Sequence, residues 1–540
     1  MSRRRCPGPR APRRAPRTLL ACLALGGTLC ATHARALELW VDHDSMGGPC
    51  DDARDRTTVA QQTPWCTLAA AGVAVQAGDT VHVRQGTYSE VQTCVACNDN
   101  SVLQLVSSGL QDAPIRFVAE PGEVVRLTAD GGAVHGLQIQ PTWDNSVVPR
   151  FVEIAGFDIS GFANDCVKVA NTSDVRLWGL EVHHCNGGAI ELHGSSRIVL
   201  EHSAVHDNPT HESTSAVDLY LCLDGNVVRG NFIWANTDED AADTEGHGIT
   251  MDTCEDAGGA LIENNVIWDN EGWGISIYQS DGSVIRNNTC WQNGRRAGAG
   301  ELSVLGDHHA IHNNILVPRA GELSLNIRER PDYPVDFNTI TEDFDILWAP
   351  THQDVAAWVD GTRGTVADYQ AGNPAGWGAN TLGVDPMLVA PGIDPASANF
   401  GLQQGSPAID SGDDTNAAAT DVLGATRPFD GDGDSVAHVD RGAYEYGAPP
   451  GEGGAGAWPP SGGYGATGGS SSGASGPGAS GPGASGPGGN PADAEADSGC
   501  GCRAPGRSGD THGSALVPLS LLALGGGRAG ARARARARGR

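Results

Sequence analysis

The stretch Ile262–Asn270, IENNVIWDN, returns as IRNNTCWQN at Ile285–Asn293. Aligning the second Asn of each pair gives a column of Phe157, Leu180, Ser203, Asn231, Asn265, Asn288, Asn314 and Asn338, with steps of 23 to 34 residues. A period in the twenties signals a solenoid. Each unit holds short β-rich runs such as GISIYQS and SVIRNN, and none holds a clear helix. About three short strands per turn of chain make one coil of a right-handed parallel β-helix. Coils stack at about 4.8 Å, so equivalent Asn residues lie above one another inside a turn. Their amides can bond along the stack and to backbone that the turn leaves unpaired. The fold class is therefore all-β, a right-handed parallel β-helix solenoid with a short N-terminal helical cap and an irregular C-terminal cap.

One strand per coil has a readable register: CVKVA, AIELH, AVDLY, GITMD, GISIY, ELSVL and ELSLN, starting at 166, 189, 216, 248, 274, 301 and 322. Alternate residues face opposite ways, and the apolar pairs run from Val167/Val169 to Leu302/Val304 and Leu323/Leu325. The outward columns are then Lys168, Glu191, Asp218, Thr250, Ser276, Ser303, Ser324 and Ala170, His193, Tyr220, Asp252, Tyr278, Leu305, Asn326. Lengthened loops at 209–215, 237–247 and 294–300 precede three of these strands and would wall the face into a groove. The structural counter-reading is an ordinary solvated sheet face.

The chain ends set the compartment. Residues 1–36 read as a secretory signal peptide: an Arg-rich start, a short apolar run and a small-residue cleavage site at Ala34-Arg35-Ala36. Residues 447–499 are a Gly/Ala/Ser/Pro linker, with GASGP three times from Gly473. Residues 500–540 hold Cys500-Gly-Cys502, a short apolar segment and an Arg-rich tail. The whole chain carries a formal charge of −30, and 16 of its 35 Lys and Arg lie in these two ends. The body is thus more acidic still, which argues against nucleic acid and for divalent counter-ions. Nine of the 14 Cys fall in the body. Cys222 and Cys254 stand at equivalent positions on neighbouring coils, within disulfide reach. Cys94 with Cys97 and Cys50 with Cys66 are further candidate pairs. Cys290 falls at an inward position and is expected buried and free.

Residues 67–77 form an amphipathic helical cap, and GDTVHVRQGTY from Gly78 opens the first coil; this segment resembles the start of secreted pectate-lyase-like β-helix proteins. ANTLGVDPMLV, GSPAID and RGAYEY, between 379 and 446, resemble the closing segment of surface-anchored bacterial β-helix proteins. The C-terminal order of 500–540 resembles the sorting signal of myxobacterial surface proteins, which implies retention at the outer cell surface. In the related lyases calcium held by Asp and Glu neutralises a uronate carboxylate, and Lys or Arg removes the adjacent ring proton. The resemblance makes Lys168 the candidate base, with His193 beside it. It makes Glu191, Asp218 and Asp252 candidate calcium ligands, joined by Asp238, Asp240 or Asp243 of the acidic loop. Nearby acids should raise the Lys168 pKa and make it a poorer base, and a salt bridge to Glu191 is the structural alternative. Tyr220, Tyr278, Arg295 and Arg296 are candidate polysaccharide contacts. Asp430, Asp432 and Asp434 of DGDGD form a second candidate calcium loop, although Arg441 stands at the twelfth position where an EF-hand has Glu. NTD at 236–238 and GHG at 246–248 share one loop, a spacing that does not assemble a polygalacturonase-type site.

Two functions fit this sequence. One is a secreted, monomeric surface protein that binds polysaccharide and cleaves uronate glycans by calcium-assisted β-elimination. The other is a non-enzymatic adhesin or envelope scaffold.

Overall fold

The computed structural model describes residues 35–43, 49–92, 100–142, 144–211, 214–239, 245–254, 259–349, 354–359 and 361–451. Residues 1–34 and 452–540, which hold most of the expected signal peptide and all but the start of the expected linker and tail, lie outside these residues, as do Cys94, Cys97, Asp240 and Asp243. Among the described residues, three long sheets of 11, 10 and 11 strands account for nearly all regular structure. Each coil crosses them in turn. Sheet A takes strands such as Ser196–Glu201, Ala260–Glu263 and Val284–Arg286. Sheet B takes Ala204–His206, Val266–Trp268 and Thr289–Trp291. Sheet C takes Val167–Ala170, Ile190–His193, Val217–Tyr220, Ile249–Asp252 and Ile275–Tyr278. Pairing is parallel from coil to coil throughout the stack, as the β-helix requires.

The repeat builds two internal ladders. At the A–B corner, Ser203 N–H donates to Asn231 Oδ1, Asn231 to Asn265, Asn265 to Asn288, and Asn288 to Asn314, each backbone bond at 3.0 Å. The Asn side-chain N–H groups repeat these links and also reach a carbonyl of the preceding coil, such as Val228 O from Asn265 at 2.9 Å. The ladder closes on Asp345, which accepts both Asn314 donors. Asn338 is not its last member: it lies in the 3-10 turn Phe337–Thr339, an insertion that lengthens the final step. At the B–C corner the last Asn of each motif forms a second ladder, Asn208, Asn236, Asn270 and Asn293, closed by Glu301. The first Asn of each pair turns the chain. Asn264, Asn287 and Asn313 adopt φ of 56°, 52° and 60°, a left-handed state that Asn tolerates well.

The inward pairs of sheet C are fully buried from Val167/Val169 through Leu302/Val304. The final strand needs a correction. Ser303 pairs with Asn326, and Leu302 and Val304 pair with Leu325 and Ile327, so the expected ELSLN register is off by two. Helix Leu68–Ala74 covers the open N-terminal edge, its first turn capped by Thr67 Oγ1, which accepts Ala70 N–H at 3.2 Å. Gly72 is required there, because a Cβ would stand 2.4 Å from Gln104 O on the first strand of sheet C. At the far end, strand Thr362–Gly364 pairs antiparallel with Ala356–Trp358, and helix Val366–Gly372 follows with a Thr365/Asp368 capping box.

The closing segment does more than cap. It runs back over the outside of sheet B, where Leu388, Phe400, Leu402, Val422 and Ala443 cluster with Trp234, Val266, Trp268, Ile315, Val317 and Ile346. The RGAYEY motif at its end is a fastener. Arg441 donates to Asp345 O, Asn380 O and Ser411 O, and Ala443 N–H donates to Thr289 Oγ1. Among the described residues no helix is long and apolar enough to cross a membrane.

Candidate functional site on sheet C

Sheet C stacks Lys168, Glu191, Asp218, Thr250 and Ser276 in one register, with His193, Tyr220, Asp252 and Tyr278 in the next outward column. Lys168 Nζ donates to Glu191 Oε2 at 2.5 Å and to Asp165 Oδ2 at 3.0 Å. Asp165 escaped the strand pattern because it sits in the loop three residues before Lys168. Its other oxygen accepts Gly188 N–H at 3.0 Å, and its neighbour Cys166 is bridged to Cys185, a disulfide not among the expected pairs. That bridge fixes the turn from which Asp165 reaches the lysine.

Burial works against the Lys168 charge, but Asp165 and Glu191 outweigh it and hold the pKa above the ordinary lysine value. Burial, then the Glu191 charge, pushes Asp165 up to about 7. Glu191 goes the other way: its bonds from Asp165 and Lys168 outweigh burial and keep it below the usual carboxylate value. Asp218 is the outlier. It is 6% exposed, and its Oδ1 is buried without a hydrogen-bond partner. Burial, with Glu191, Asp252, Glu245 and Asp165 around it, raises its pKa well above the normal carboxylate range. Asp252 is raised by burial too, partly offset by a 2.6 Å bond from Thr253 Oγ1.

His193 Nδ1 lies 3.2 Å from Glu191 Oε1, and its ring meets Tyr220 edge-on at 5.1 Å. Tyr220 is 37% exposed, and Leu221 and Leu223 extend the apolar surface beside it. Tyr278 is covered: Arg330 donates to its hydroxyl at 2.5 Å and lies 5.7 Å over its ring. The loops do stack as a ledge along the B–C corner, with Pro209–Thr210 pairing Thr237–Asp238. Arg296 ties that ledge together through Asp238 at 3.0 Å and Glu271 at 2.9 Å, and Arg295 donates to Asn236 O. Both arginines are thus engaged by protein groups.

Among the described residues, the one group of three ligating side chains whose atoms lie within 4.8 Å of one another is Asp410, Asp430 and Asp432. Asp434 is not part of it; its Oδ1 accepts Val436 N–H. Asp430 accepts N–H groups of Gly433 and Ser435 in its own loop, and Asp410 accepts those of Gly431 and Asp432 from the same loop. Glu191 and Asp218 are neighbours in register, and Asp252 stands one coil on and one column across. Disulfides join Cys222 to Cys254 and Cys50 to Cys66 with Cα separations of 4.9 Å, and Cys290 is buried and free.

Residues 50–240 match the family model described as Pel9A-like, right handed beta helix region. No curated protein matches the chain. Among solved structures, pectate lyase Pel9A aligns at 14% identity over 76% of this chain and 97% of its own, with a TM-score of 0.44. A rhamnogalacturonan lyase aligns at 14% identity over 68% and 96%, with a TM-score of 0.46. XylC with xylose aligns at 10% identity over 76% and 99%, with a TM-score of 0.40. The matched stretch, residues 50–240, includes the coils on which Lys168, Glu191 and Asp218 stand, and there the chain is similar to a Pel9A-like right-handed β-helix region.

Proposed function

We propose that sheet C binds an acidic polysaccharide and cleaves it by β-elimination, in a protein exported and held at the cell surface. The observation that carries this reading is the buried, unpartnered Asp218 Oδ1 beside the Asp165–Lys168–Glu191 cluster. A buried carboxylate without a donor costs stability unless it is protonated or meets a cation. The donors around it are all oxygen, which fits calcium better than a softer metal. Glu191 and Asp218 would hold the ion, with Asp252 on the next coil. When bound, calcium would neutralise a uronate carboxylate and so acidify the adjacent C5 proton. Lys168 Nζ takes that proton, the C4–O bond breaks, and a C4=C5 double bond forms. His193, oriented by Glu191, can return a proton to the leaving oxygen. Lys168 must first be neutral, and any charge withdrawn from Glu191 weakens the hold that keeps it protonated. Tyr220, exposed on the outer face of sheet C, offers a sugar ring its apolar face.

A second reading, a non-enzymatic adhesin, draws on the same lysine: its two ion pairs are also what a purely structural residue would make. The two separate on a panel of uronate polysaccharides with and without calcium, read by the ultraviolet absorbance of unsaturated product. The lyase reading expects product that vanishes in Lys168→Ala and needs more calcium in Asp218→Asn. The adhesin reading expects no product but glycan binding lost in Tyr220→Ala. A chain that neither cleaves nor binds would leave sheet C as a solvated face and the molecule as a spacer.

A further inference from the structure

The outward face of sheet C carries an unpaired cation near its C-terminal end. Arg328 N–H donates to Val304 O at 3.0 Å, one residue beyond the pairing of Val304 with Ile327. Arg328 therefore follows Tyr278 and Leu305 in the outward column of His193, Tyr220 and Asp252. The register shift at this strand is what brings it there, since the expected register put Asn326 in that place. Arg328 is half-buried, and its Nε is covered and has no hydrogen-bond partner. Among the described residues no carboxylate pairs with its guanidinium. The cation beside it is Arg330, which is itself held by Asp332 at 3.0 Å and by the Tyr278 hydroxyl. Burial, opposed by Tyr278 and reinforced by Arg330, holds the Arg328 pKa below the ordinary guanidinium value, yet the group stays charged. The chain has a formal charge of −30, so acids to pair with it are not scarce. A covered charge without a partner costs stability, and a fold retains one where a ligand completes it.

We infer that Arg328 is a second carboxylate-binding position for the glycan, remote from the Glu191, Asp218 and Asp252 group on the same face. The inference rests on reading sheet C as the face that binds an acidic polysaccharide. A guanidinium presents its N–H groups as a planar fork that matches the two oxygens of a carboxylate. Asn326, half-buried two residues earlier on the same face, supplies an amide for sugar hydroxyls beside it. Arg328 lies three coils from Asp252 and four from Tyr220, roughly 14 Å and about 19 Å along the stack at the usual strand spacing. A glycan that engages both positions must carry uronates several sugars apart. Arg328 thus selects a polyuronate over a glycan with a single acidic sugar.

The test is calorimetric binding to the full chain, with calcium present, of a polyuronate, its carboxyl-reduced neutral form and a sulfated neutral glycan. Arg328→Gln, Arg328→Lys and Tyr220→Ala are compared with the parent. Arg328→Gln should weaken polyuronate binding by about 10-fold or more and leave the carboxyl-reduced glycan unaffected. Arg328→Lys should fall between, because it keeps the charge but loses the fork. Arg328→Gln should also unfold in denaturant no earlier than the parent, since it removes a covered charge that nothing pairs. Equal polyuronate affinity in the parent and Arg328→Gln would overturn the inference, and a loss in Tyr220→Ala alone would leave the proposed function standing without it. A parent that binds no polyuronate would end both. A sulfated glycan held as tightly as the polyuronate, with the same loss in Arg328→Gln, would overturn the assignment to carboxylate. Earlier unfolding of Arg328→Gln would give Arg328 to the fold and likewise overturn it.

Discussion

Lys168 is the chain's single lysine, which makes its environment directly measurable. Reductive methylation with ¹³C-formaldehyde keeps the charge and labels only Lys168 and the terminal amine. The terminal amine titrates near pH 8, well clear of a lysine. The Lys168 resonance should titrate above the ordinary lysine value, because Asp165 and Glu191 outweigh its burial. Asp165→Asn should move it down, and calcium should do the same if the ion draws on Glu191. A midpoint at or below that of free lysine in the parent would contradict the ion-pair geometry. The column holding Lys168, Glu191 and Asp218 was legible because a strand's side chains alternate, so six apolar pairs left no freedom in the outward set. Asp165 was not legible, since its contact depends on a loop turn and a disulfide that no alternation encodes.

At the scale of the element, the Asn ladder is the device that spaces the coils. Asn265→Ala would leave Asn231 N–H, Asn231 Nδ2–H and Val228 O without partners inside the turn. Each such loss costs about 1–3 kcal/mol, so the variant should lose about 3 kcal/mol or more in denaturant unfolding. A loss below about 1 kcal/mol would mean that water or a shifted turn replaces the amide. The Cys222–Cys254 bridge clamps the coils of Tyr220 and Asp252 across 32 residues. Chain entropy assigns such a loop about 3–4 kcal/mol. Peptide mapping of exported protein without reduction should recover Cys222 and Cys254 together, and Cys166 with Cys185. The ladder's middle was readable from repeated Asn, but its ends were not. Both close on carboxylates, where the residue type changes: Asp345 after an insertion that lengthens the step to 31 residues, and Glu301 only 8 residues beyond Asn293. The sheet B cover was hidden for a related reason: the tryptophans of WDN and WQN form an outer apolar face that the segment 388–443 buries, and no alternation within the repeat marks that face as covered.

Across the whole molecule, those closing carboxylates set the pH at which the stack is firmest. Burial pushes Glu301 up to about 8 from 4.5, against two bonds from Asn293, and pushes Asp440 up to about 7 with help from Glu445. Asp345 and Glu342 are raised by burial as well. A carboxyl whose folded pKa is raised adds stability below its unfolded pKa and loses it as pH rises through the folded one. Glu301 and Asp440 therefore weaken the fold between about pH 5 and 8. The ion-paired acids Glu123, Asp174 and Glu201 have lowered values and act at lower pH, where protonation removes their contribution. His309, held down to about 4 by burial, opposes the trend only below its ordinary value of 6.5. Between about pH 6.5 and 8.5 the raised carboxylates thus dominate, and the melting temperature should fall steadily. Glu301→Gln removes the charge that burial penalises but also gives up the acceptor for Asn293 Nδ2. It should melt below the parent at pH 5 and at or above it at pH 8.5, so the two curves converge or cross. Parallel curves over that range would show that Glu301 keeps one protonation state in the folded ladder throughout, and that the pH response of the stack arises elsewhere.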